Sequence, residues 1–415
     1  MCALQRSPAL RSNRNFLCLL GGRGFSEFGD YFGELALSWL VYTATGSVLS
    51  LGATWIFYLV PRSVIRLWGG VYVDRFDKRT LMIVTETARG IIFGLFAIVV
   101  ALGFASLPVV FAVSISIGLI GALFDIASQA IVPRLVEPSG LLAANSYLTA
   151  TFQVDSVLGP AAAGVAIFAV GVATSLSIDS ISFFVLVGAL ALMRLQEETK
   201  ADPAARSWRS EFNEGWNYFK SKSELVWLGF LVGGVNFALG GFWYVYALVL
   251  AKDVLNSGSA GFGAMNSFAA VGILATSTYI GRRGIKRPRL AVITSMLGMG
   301  IFVALTGLAQ NLPEALASIA LFGAAIPLIS VVQSTYYQQS VPKELTGRVF
   351  GFQQFFDYVT IPAGIVFAIL LDSVSGAGVG IVASGILILL FGLAGISSRS
   401  LRNLMLTPKA TSPLR

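Results

Sequence analysis

Histidine is absent from this 415-residue chain, and cysteine and charged residues are scarce. The missing imidazole removes the commonest metal ligand, the usual general base of enzymes and the easiest pH switch. Any proton chemistry must therefore use carboxylates. The two cysteines, Cys2 and Cys18, have no CxxC spacing, so the sequence predicts neither a disulfide framework nor a metal site. We also expect no cofactor.

Charged residues make up only 12% of the chain, whereas soluble domains average about 25%. Hydrophobic residues make up 55%, and the mean hydropathy is +0.77. This composition predicts a membrane protein. The first apolar stretch is too long and too charged for a cleavable signal peptide.

Apolar runs of about 20 residues, separated by Gly, Pro and charged residues, predict about twelve membrane spans. The predicted fold class is therefore an all-α membrane protein with about twelve transmembrane helices in two pseudo-symmetric six-helix bundles. The predicted spans are residues 15–44, 48–73, 80–102, 107–128, 140–169, 173–194, 225–250, 260–281, 289–309, 313–334, 345–371 and 377–397.

Four segments follow from this pattern: an N-terminal bundle (1–194), a linker (195–224), a C-terminal bundle (225–398) and a tail (399–415). Within the linker, aromatic residues recur at helical spacing among charges. This predicts an amphipathic helix on the cytoplasmic face, with a plain soluble linker as the alternative. The aromatic residues are Trp208, Phe212, Trp216 and Phe219.

The two bundles repeat short polar patterns in the same order. Lys78-Arg79 after the second span matches Lys286-Arg287 after the eighth, and both bundles have six spans. Parallel halves of this kind are related by an axis along the membrane normal, with a binding site near the midplane. Most of the 29 Lys and Arg lie in the tails and alternate loops, so the positive-inside rule predicts that both termini are cytoplasmic.

The first span carries four charged residues. On a helix that advances about 100° per residue, they fall within an arc of roughly 60°. A charge at the bilayer centre costs about 2.5–3.5 kcal/mol, so the stripe must face protein or a wet cavity. Two interpretations remain open: a structural ladder of ion pairs, and a site for protons or cationic substrate. The residues are Arg23, Glu27, Asp30 and Glu34.

Other spans contain further charges. Asp155 and Asp179 are candidate proton-coupling or substrate residues together with the acids of the first span. Arg62 and Arg66 share one helix face, and Arg89 lies one turn from Glu86. We expect these arginines to be charge partners, because a buried charge needs a pair. Asp125 and Asp357 are further candidates, and Gln353 lies one turn before Asp357.

The loop after the second span resembles the cytoplasmic signature of the major facilitator superfamily. Asp77 departs from that signature, which usually has Gly at this position. Together with segments such as ALSWLVYTATGS, the chain resembles the macrolide-efflux and enterobactin-exporter-like (transmembrane secretion effector) branch of this superfamily. The resemblance implies that the signature forms a cytoplasmic gate. Its matching residues are Gly70, Asp74, Arg75, Lys78 and Arg79.

A second motif lies in the fifth span, where VDSVLGPAAAGV resembles the antiporter signature of the same superfamily. Gly159, Pro160 and Gly164 match that signature, and Asp155 stands where its first Gly is expected. Proline frees a backbone carbonyl and bends the helix. The motif is therefore either a functional kink or a kink needed only for packing.

No catalytic pattern is present. A Ser-His-Asp set is excluded without histidine, and the Gly-rich runs lack the Gly-Lys-Ser/Thr of a phosphate-binding loop. No soluble ATPase domain is predicted, so transport should be secondary rather than ATP-driven. We predict no enzyme activity and no nucleic-acid partner.

These observations and the resemblance predict a monomeric, proton-coupled antiporter in a prokaryotic cytoplasmic membrane, in contact with lipid. It would export amphipathic drugs or other small molecules by alternating access. One alternative is a dedicated exporter of a siderophore-like or lipid-like molecule. An alternative of another class is a membrane scaffold or sensor that transports nothing.

Overall fold

The computed structural model describes residues 12–73, 76–137, 140–193, 208–342, 345–398 and 401. Within these ranges every long element is a helix. The first five helices are α1 (Arg14–Thr45), α2 (Val48–Val73), α3 (Lys78–Ala101), α4 (Leu107–Leu135) and α5 (Leu141–Ala191). The next six are α6 (Trp208–Ser221), α7 (Ser223–Gly241), α8 (Gly258–Arg283), α9 (Pro288–Gly307), α10 (Leu312–Ser340) and α11 (Thr346–Ser397).

Two of these helices are bent at glycines. Gly171 (φ 83°) interrupts α5, and Gly376 (φ 75°) interrupts α11. Side chains with a Cβ rarely adopt a positive φ of this size, so glycine suits both corners. Each bend occurs between two consecutive predicted spans.

The described residues contain ten helical stretches that are long and apolar enough to cross a membrane. One of them, Ala143–Ala191, has 49 residues, which is about twice the length of one span, and it is bent at Gly171. Helix α1 is not among the ten, because its charged residues lower its hydropathy. With α5 counted as two spans and α1 added, the total is twelve. The predicted fold class is confirmed.

A π-helical stretch follows α7. Two π-helical segments, Phe242–Tyr246 and Leu250–Val254, flank the short α-helical segment Ala247–Val249. Such insertions are rare and often occur at functional sites. No sequence pattern noted above predicts them.

Contacts divide the chain into two compact units. The first unit comprises Met1–Asp202 and Tyr244–Ala270, and the second comprises Pro203–Trp243 and Val271–Arg415. In the first unit α1 packs against α5, and α3 packs against α4 and α5. In the second unit α7 packs against α11, and α9 packs against α10 and α11. Equivalent pairs of helices therefore pack together in each unit, in agreement with the sequence repeat.

The predicted linker helix is present as α6. Its residue Phe219 is buried, and the ring centroid of Phe219 lies 5.6 Å from that of Phe356 on α11. The Tyr218 hydroxyl donates to the backbone oxygen of Ser340, at 2.5 Å. The aromatic side of α6 therefore packs on protein. The side chains of Trp208 and Phe212 lie outside the described residues.

Small residues allow α7 and α11 to approach closely. A Cβ added at Gly240 would lie 2.5 Å from the backbone oxygen of Ile361, and one added at Gly364 would overlap the backbone oxygen of Phe237. Glycines that let two helix backbones approach closely are a common way to pack helices in membranes.

We predict that Gly364→Ala lowers the free energy of unfolding by about 1–3 kcal/mol, because the added methyl group overpacks a backbone contact. Gly188→Ala is the matched control, since a Cβ at Gly188 meets no atom within 4 Å. Thermal unfolding of the detergent-purified protein would measure both variants. Equal stability of the two variants would contradict the close contact.

Candidate proton-coupling and substrate site

A cavity with several charged lining residues lies within the first unit. The empty space there amounts to about 430 Å³, a figure that includes open solvent. Its charged lining residues come from α1, α3 and α5, and its aromatic residues come mainly from α2. The lining residues are Asp30, Gly33, Glu34, Leu37, Thr54, Trp55, Tyr58, Arg89, Phe93, Val113, Ser114, Ile117 and Asp179.

Arg89 joins three helices at this cavity. Its Nη2 lies 2.5 Å from Asp30 Oδ1, and its Nη1 lies 2.9 Å from Glu86 Oε1. The guanidinium carbon lies 4.1 Å from the ring centroid of Phe183, within the range of a cation–π contact. The Arg89 residue is only 5% exposed, so these contacts replace nearly all of its water.

Glu86 and Asp179 are more deeply buried than the acids of α1. Glu86 is 0% exposed, and its Oε2 accepts a hydrogen bond from the Ser26 hydroxyl at 3.2 Å. Asp179 is 1% exposed, and a Cβ at Gly33 would overlap its carboxylate. The glycine at position 33 therefore gives Asp179 the room to approach α1.

Glu34 lies one turn after Asp30 and lines the same cavity. Among the described residues no Lys or Arg lies within ion-pair distance of Glu34 or Asp179. The cavity region therefore holds four carboxyl groups near the guanidinium of Arg89, and the guanidinium of Arg62, paired with Asp125, lies close by. The four are Asp30, Glu34, Glu86 and Asp179.

Arg62 and Arg66 meet an acid of α4. Their Nη2 atoms lie 2.7 Å and 2.8 Å, respectively, from Asp125 Oδ2. The Tyr58 hydroxyl also contacts the Arg62 guanidinium. Arg62 and Arg66, which we expected to be charge partners, therefore both form an ion pair with Asp125.

The remaining members of the stripe form a separate pair. Arg23 Nε lies 2.6 Å from Glu27 Oε1, one turn along α1, and neither residue lines the cavity. The four stripe residues therefore separate into one ion pair and two cavity acids.

Asp155 faces α1 at Gly24 and is 8% exposed, and its Oδ2 has no hydrogen-bond partner among the described residues.

The fifth-span motif is a packing point within the first unit. A Cβ at Gly159 would overlap the ring of Tyr31, and a Cβ at Gly164 would lie 3.0 Å from the Cα of Gly263 on α8. Pro160 interrupts the hydrogen-bond ladder, and the next amide, Ala161 N–H, donates to the Ser267 hydroxyl at 3.0 Å. The amide that follows Pro160 is therefore hydrogen-bonded to a side chain of α8.

The residues of the expected gate are only partly described. Asp74 and Arg75 lie outside the described residues, and Gly70 lies in the last turns of α2. Lys78 is buried and donates to the backbone oxygen of Val73 at 2.5 Å. Arg79 donates to the backbone oxygens of Leu190 and Ala191, at 2.7 Å and 2.8 Å, and so holds the end of α5.

Asp77, which departs from the signature, caps α3. Its carboxylate accepts hydrogen bonds from the Thr80 amide and the Thr80 hydroxyl, both at 2.7 Å. Partial burial would raise the pKa of Asp77, but these hydrogen bonds outweigh that effect, and nearby Arg134 and Arg79 add to them. The pKa of Asp77 is therefore lowered from its ordinary value.

Residues 19–365 match the Major Facilitator Superfamily, and the chain belongs to this family. Macrolide efflux protein A of Streptococcus pyogenes is 23% identical over 392 residues, which cover 90% of this chain and 93% of that protein. Enterobactin exporter EntS of Escherichia coli is 25% identical over 285 residues, or 68% and 67% of the two chains. The solved nucleoside transporter NupG aligns with a TM-score of 0.73 at 13% identity, covering 93% of this chain and 99% of NupG.

The family resemblance inferred from the sequence is therefore confirmed, including the likeness to macrolide-efflux and enterobactin-exporter proteins. The chain is a multi-pass membrane transporter with relatives that act in efflux, and it is not an enzyme. The roles assigned to individual site residues stay predictions.

Sequence reasoning gave Glu86 only as a neighbour of Arg89. The structure brings both residues to Asp30 and adds Asp125 as the partner of Arg62 and Arg66. The spacing of Glu86 and Arg89, three residues apart on one helix face, was the available signal for a shared ion-pair site.

We predict that Asp77→Ala lowers the free energy of unfolding by about 1 kcal/mol, while Asp77→Asn retains most of the cap. Because the pKa of Asp77 is lowered in the folded state, its advantage over Asn is fully present well above the unfolded-state pKa of about 3.9 and is lost as the pH falls through the lower folded-state pKa. Thermal unfolding midpoints measured at about pH 7 and about pH 2 test both statements. An alanine variant as stable as the asparagine variant would contradict the capping role.

We predict that Arg89→Gln destabilises the protein by about 3–5 kcal/mol, because it leaves Asp30 and Glu86 buried without their cation. The control is Arg23→Gln, which breaks a partly exposed pair one turn apart and should cost about 0–1 kcal/mol. Unfolding of both variants in the same detergent gives the comparison. Similar losses in the two variants would show that Arg89 does not hold the cluster together.

Proposed function

We propose that this transporter is a proton-coupled antiporter that exports amphipathic compounds, in particular cationic ones, from a prokaryotic cell by alternating access. The observation that supports this proposal is the excess of carboxyl groups at the cavity. Four carboxyl groups surround Arg89, and only Asp30 and Glu86 lie within ion-pair distance of it. The similarity to macrolide efflux protein A and to enterobactin exporter EntS supports the outward direction.

Electrostatics gives the reason for proton binding. A carboxylate that is removed from water without a cation is costly, and binding a proton removes the charge. The guanidinium of Arg89 cannot neutralise four carboxylates, even with the nearby Arg62, which is shared with Asp125. In our proposal, protons therefore neutralise part of the cluster, and Asp30 and Glu34 exchange these protons with the water of the cavity.

Competition then couples the two fluxes. A cationic substrate and a proton are both favoured by the same negative cavity, so protonation from outside promotes release of the substrate. A net charge that moves with the cycle adds about 2.3 kcal/mol per 100 mV of membrane potential. Arg89 limits the negative charge of the empty cavity, so that the substrate-free transporter can return to the conformation that is open to the cytoplasm.

The similarity to the enterobactin exporter supports a second candidate, export of a siderophore-like compound. Such a cargo carries negative or neutral oxygen groups, for which Arg62, whose guanidinium contacts the cavity residue Tyr58, is the suitable partner. In that case Arg62→Gln would stop transport, whereas neutralisation of Glu34 would have little effect on it.

We predict that Asp30→Asn and Glu34→Gln reduce pH-driven efflux at least tenfold while the protein still inserts and folds. The assay uses proteoliposomes with an imposed pH gradient and a cationic dye such as ethidium. Asp372→Asn is the matched control, since Asp372 lies in a membrane-spanning helix but not at the cavity. Full efflux by both cavity variants would refute the proposed coupling, and absence of flux in the unmodified protein, for drugs and siderophores alike, would favour a scaffold.

A further inference from the structure

A second polar cluster lies in the second unit, where a hydrogen bond links α10 to α11. Among the described residues, the acid of this cluster is Asp357 on α11. Asp357 Oδ1 lies 3.3 Å from Gln333 Nε2 on α10, and Asp357 Oδ2 lies 3.4 Å from Gln353 Nε2 on α11. The backbone oxygen of Asp357 accepts a hydrogen bond from Asn236 Nδ2 on α7, at 2.7 Å, which ties the three helices together.

The Asp357 carboxylate has weak partners only. Hydrogen bonds from N–H groups to oxygen are usually 2.7–3.2 Å long, so both amide contacts are long. Among the described residues no Lys or Arg lies within 4.0 Å of Asp357. This contrasts with Asp30 and Asp125, each of which contacts arginine.

Two neighbouring oxygens have no hydrogen-bond partner among the described residues. They are Gln353 Oε1 and Thr360 Oγ1, and both atoms are buried. Gln353 is only 8% exposed, and its amide nitrogen already points at Asp357, so its carbonyl oxygen, on the other side of the amide group, is left without a donor. Residues 353, 357 and 360 lie on one face of α11, because they are spaced by four and three positions.

A buried oxygen without a donor is costly, and native structures contain few of them. The Asp357 carboxylate has two long amide contacts but no described cation, and Gln353 Oε1 has no described donor, so the cluster offers acceptors for a cationic donor. A protonated amine fits this site, since each N–H of its nitrogen can donate to Asp357 or to Gln353 Oε1 while its charge neutralises the carboxylate.

We propose that Asp357 and Gln353 bind the protonated nitrogen of an exported amine. This inference rests on the proposed export function and narrows the substrates to compounds with an N–H donor on a cationic nitrogen. It also separates the two tasks within the chain: the α1–α3–α5 cluster exchanges protons, and the Asp357 cluster selects the cargo.

The test is equilibrium binding to the purified full-length protein, with no gradient applied. The probes are dansyl-ethylenediamine, which carries a primary ammonium group at pH 7, and the analogue with a hydroxyl in place of that group. We expect the unmodified protein to bind the amine at least tenfold more tightly than the alcohol. Asp357→Asn should abolish this preference, and Gln353→Met should reduce it severalfold with the volume conserved.

Asp372→Asn, on the same helix, should leave the preference unchanged. Absence of an amine preference in the unmodified protein, or a preference that survives in Asp357→Asn, would overturn the proposal. So would a result in which Asp357→Asn changes only the number of protons bound by the protein, because Asp357 would then be a proton site. Because binding needs no gradient, a failure of proton coupling in the Asp30 and Glu34 assays would not change the binding result expected here.

Discussion

The contact of Arg89 with Asp30 and Glu86 is the interaction on which the first unit depends. These three residues come from two helices, and Ser26 of α1 donates a hydrogen bond to Glu86. An ion pair this deeply buried is weak evidence for stability, because desolvation offsets the attraction. Proton exchange at this cluster, as we propose it, gives the ion pair a use beyond stability.

An unequal number of charges is what makes this bundle chemically useful. Arg23 with Glu27, and Asp125 with Arg62 and Arg66, are local arrangements in which opposite charges meet. The cavity acids differ from them, because Glu34 and Asp179 have no described cation within ion-pair distance. A membrane protein can hold such groups in two protonation states, and a change between these states can drive a cycle.

Composition and periodicity were sufficient to predict the twelve spans, since about 20 apolar residues are needed to cross a bilayer whatever their order. The charged stripe of α1 could also be predicted from the sequence, but the ion-pair partner of each of its members could not. Arg23 pairs along its own helix, whereas Asp30 pairs with a residue 59 positions away. Only tertiary packing decides between such partners. The same limit applies to Asp77, whose role as a helix cap depends on where α3 begins.

The proposed proton coupling depends most directly on the protonation of the cavity acids in the resting protein. Infrared difference spectroscopy of the carboxyl C=O stretch at pH 7, with Asp30, Glu34, Glu86 and Asp179 replaced one at a time by their amides, measures this property. We expect that at least one of these replacements removes the signal of a protonated carboxyl group, and that the same signal changes when substrate binds. A spectrum in which all four groups are ionised at pH 7, with and without substrate, would contradict it.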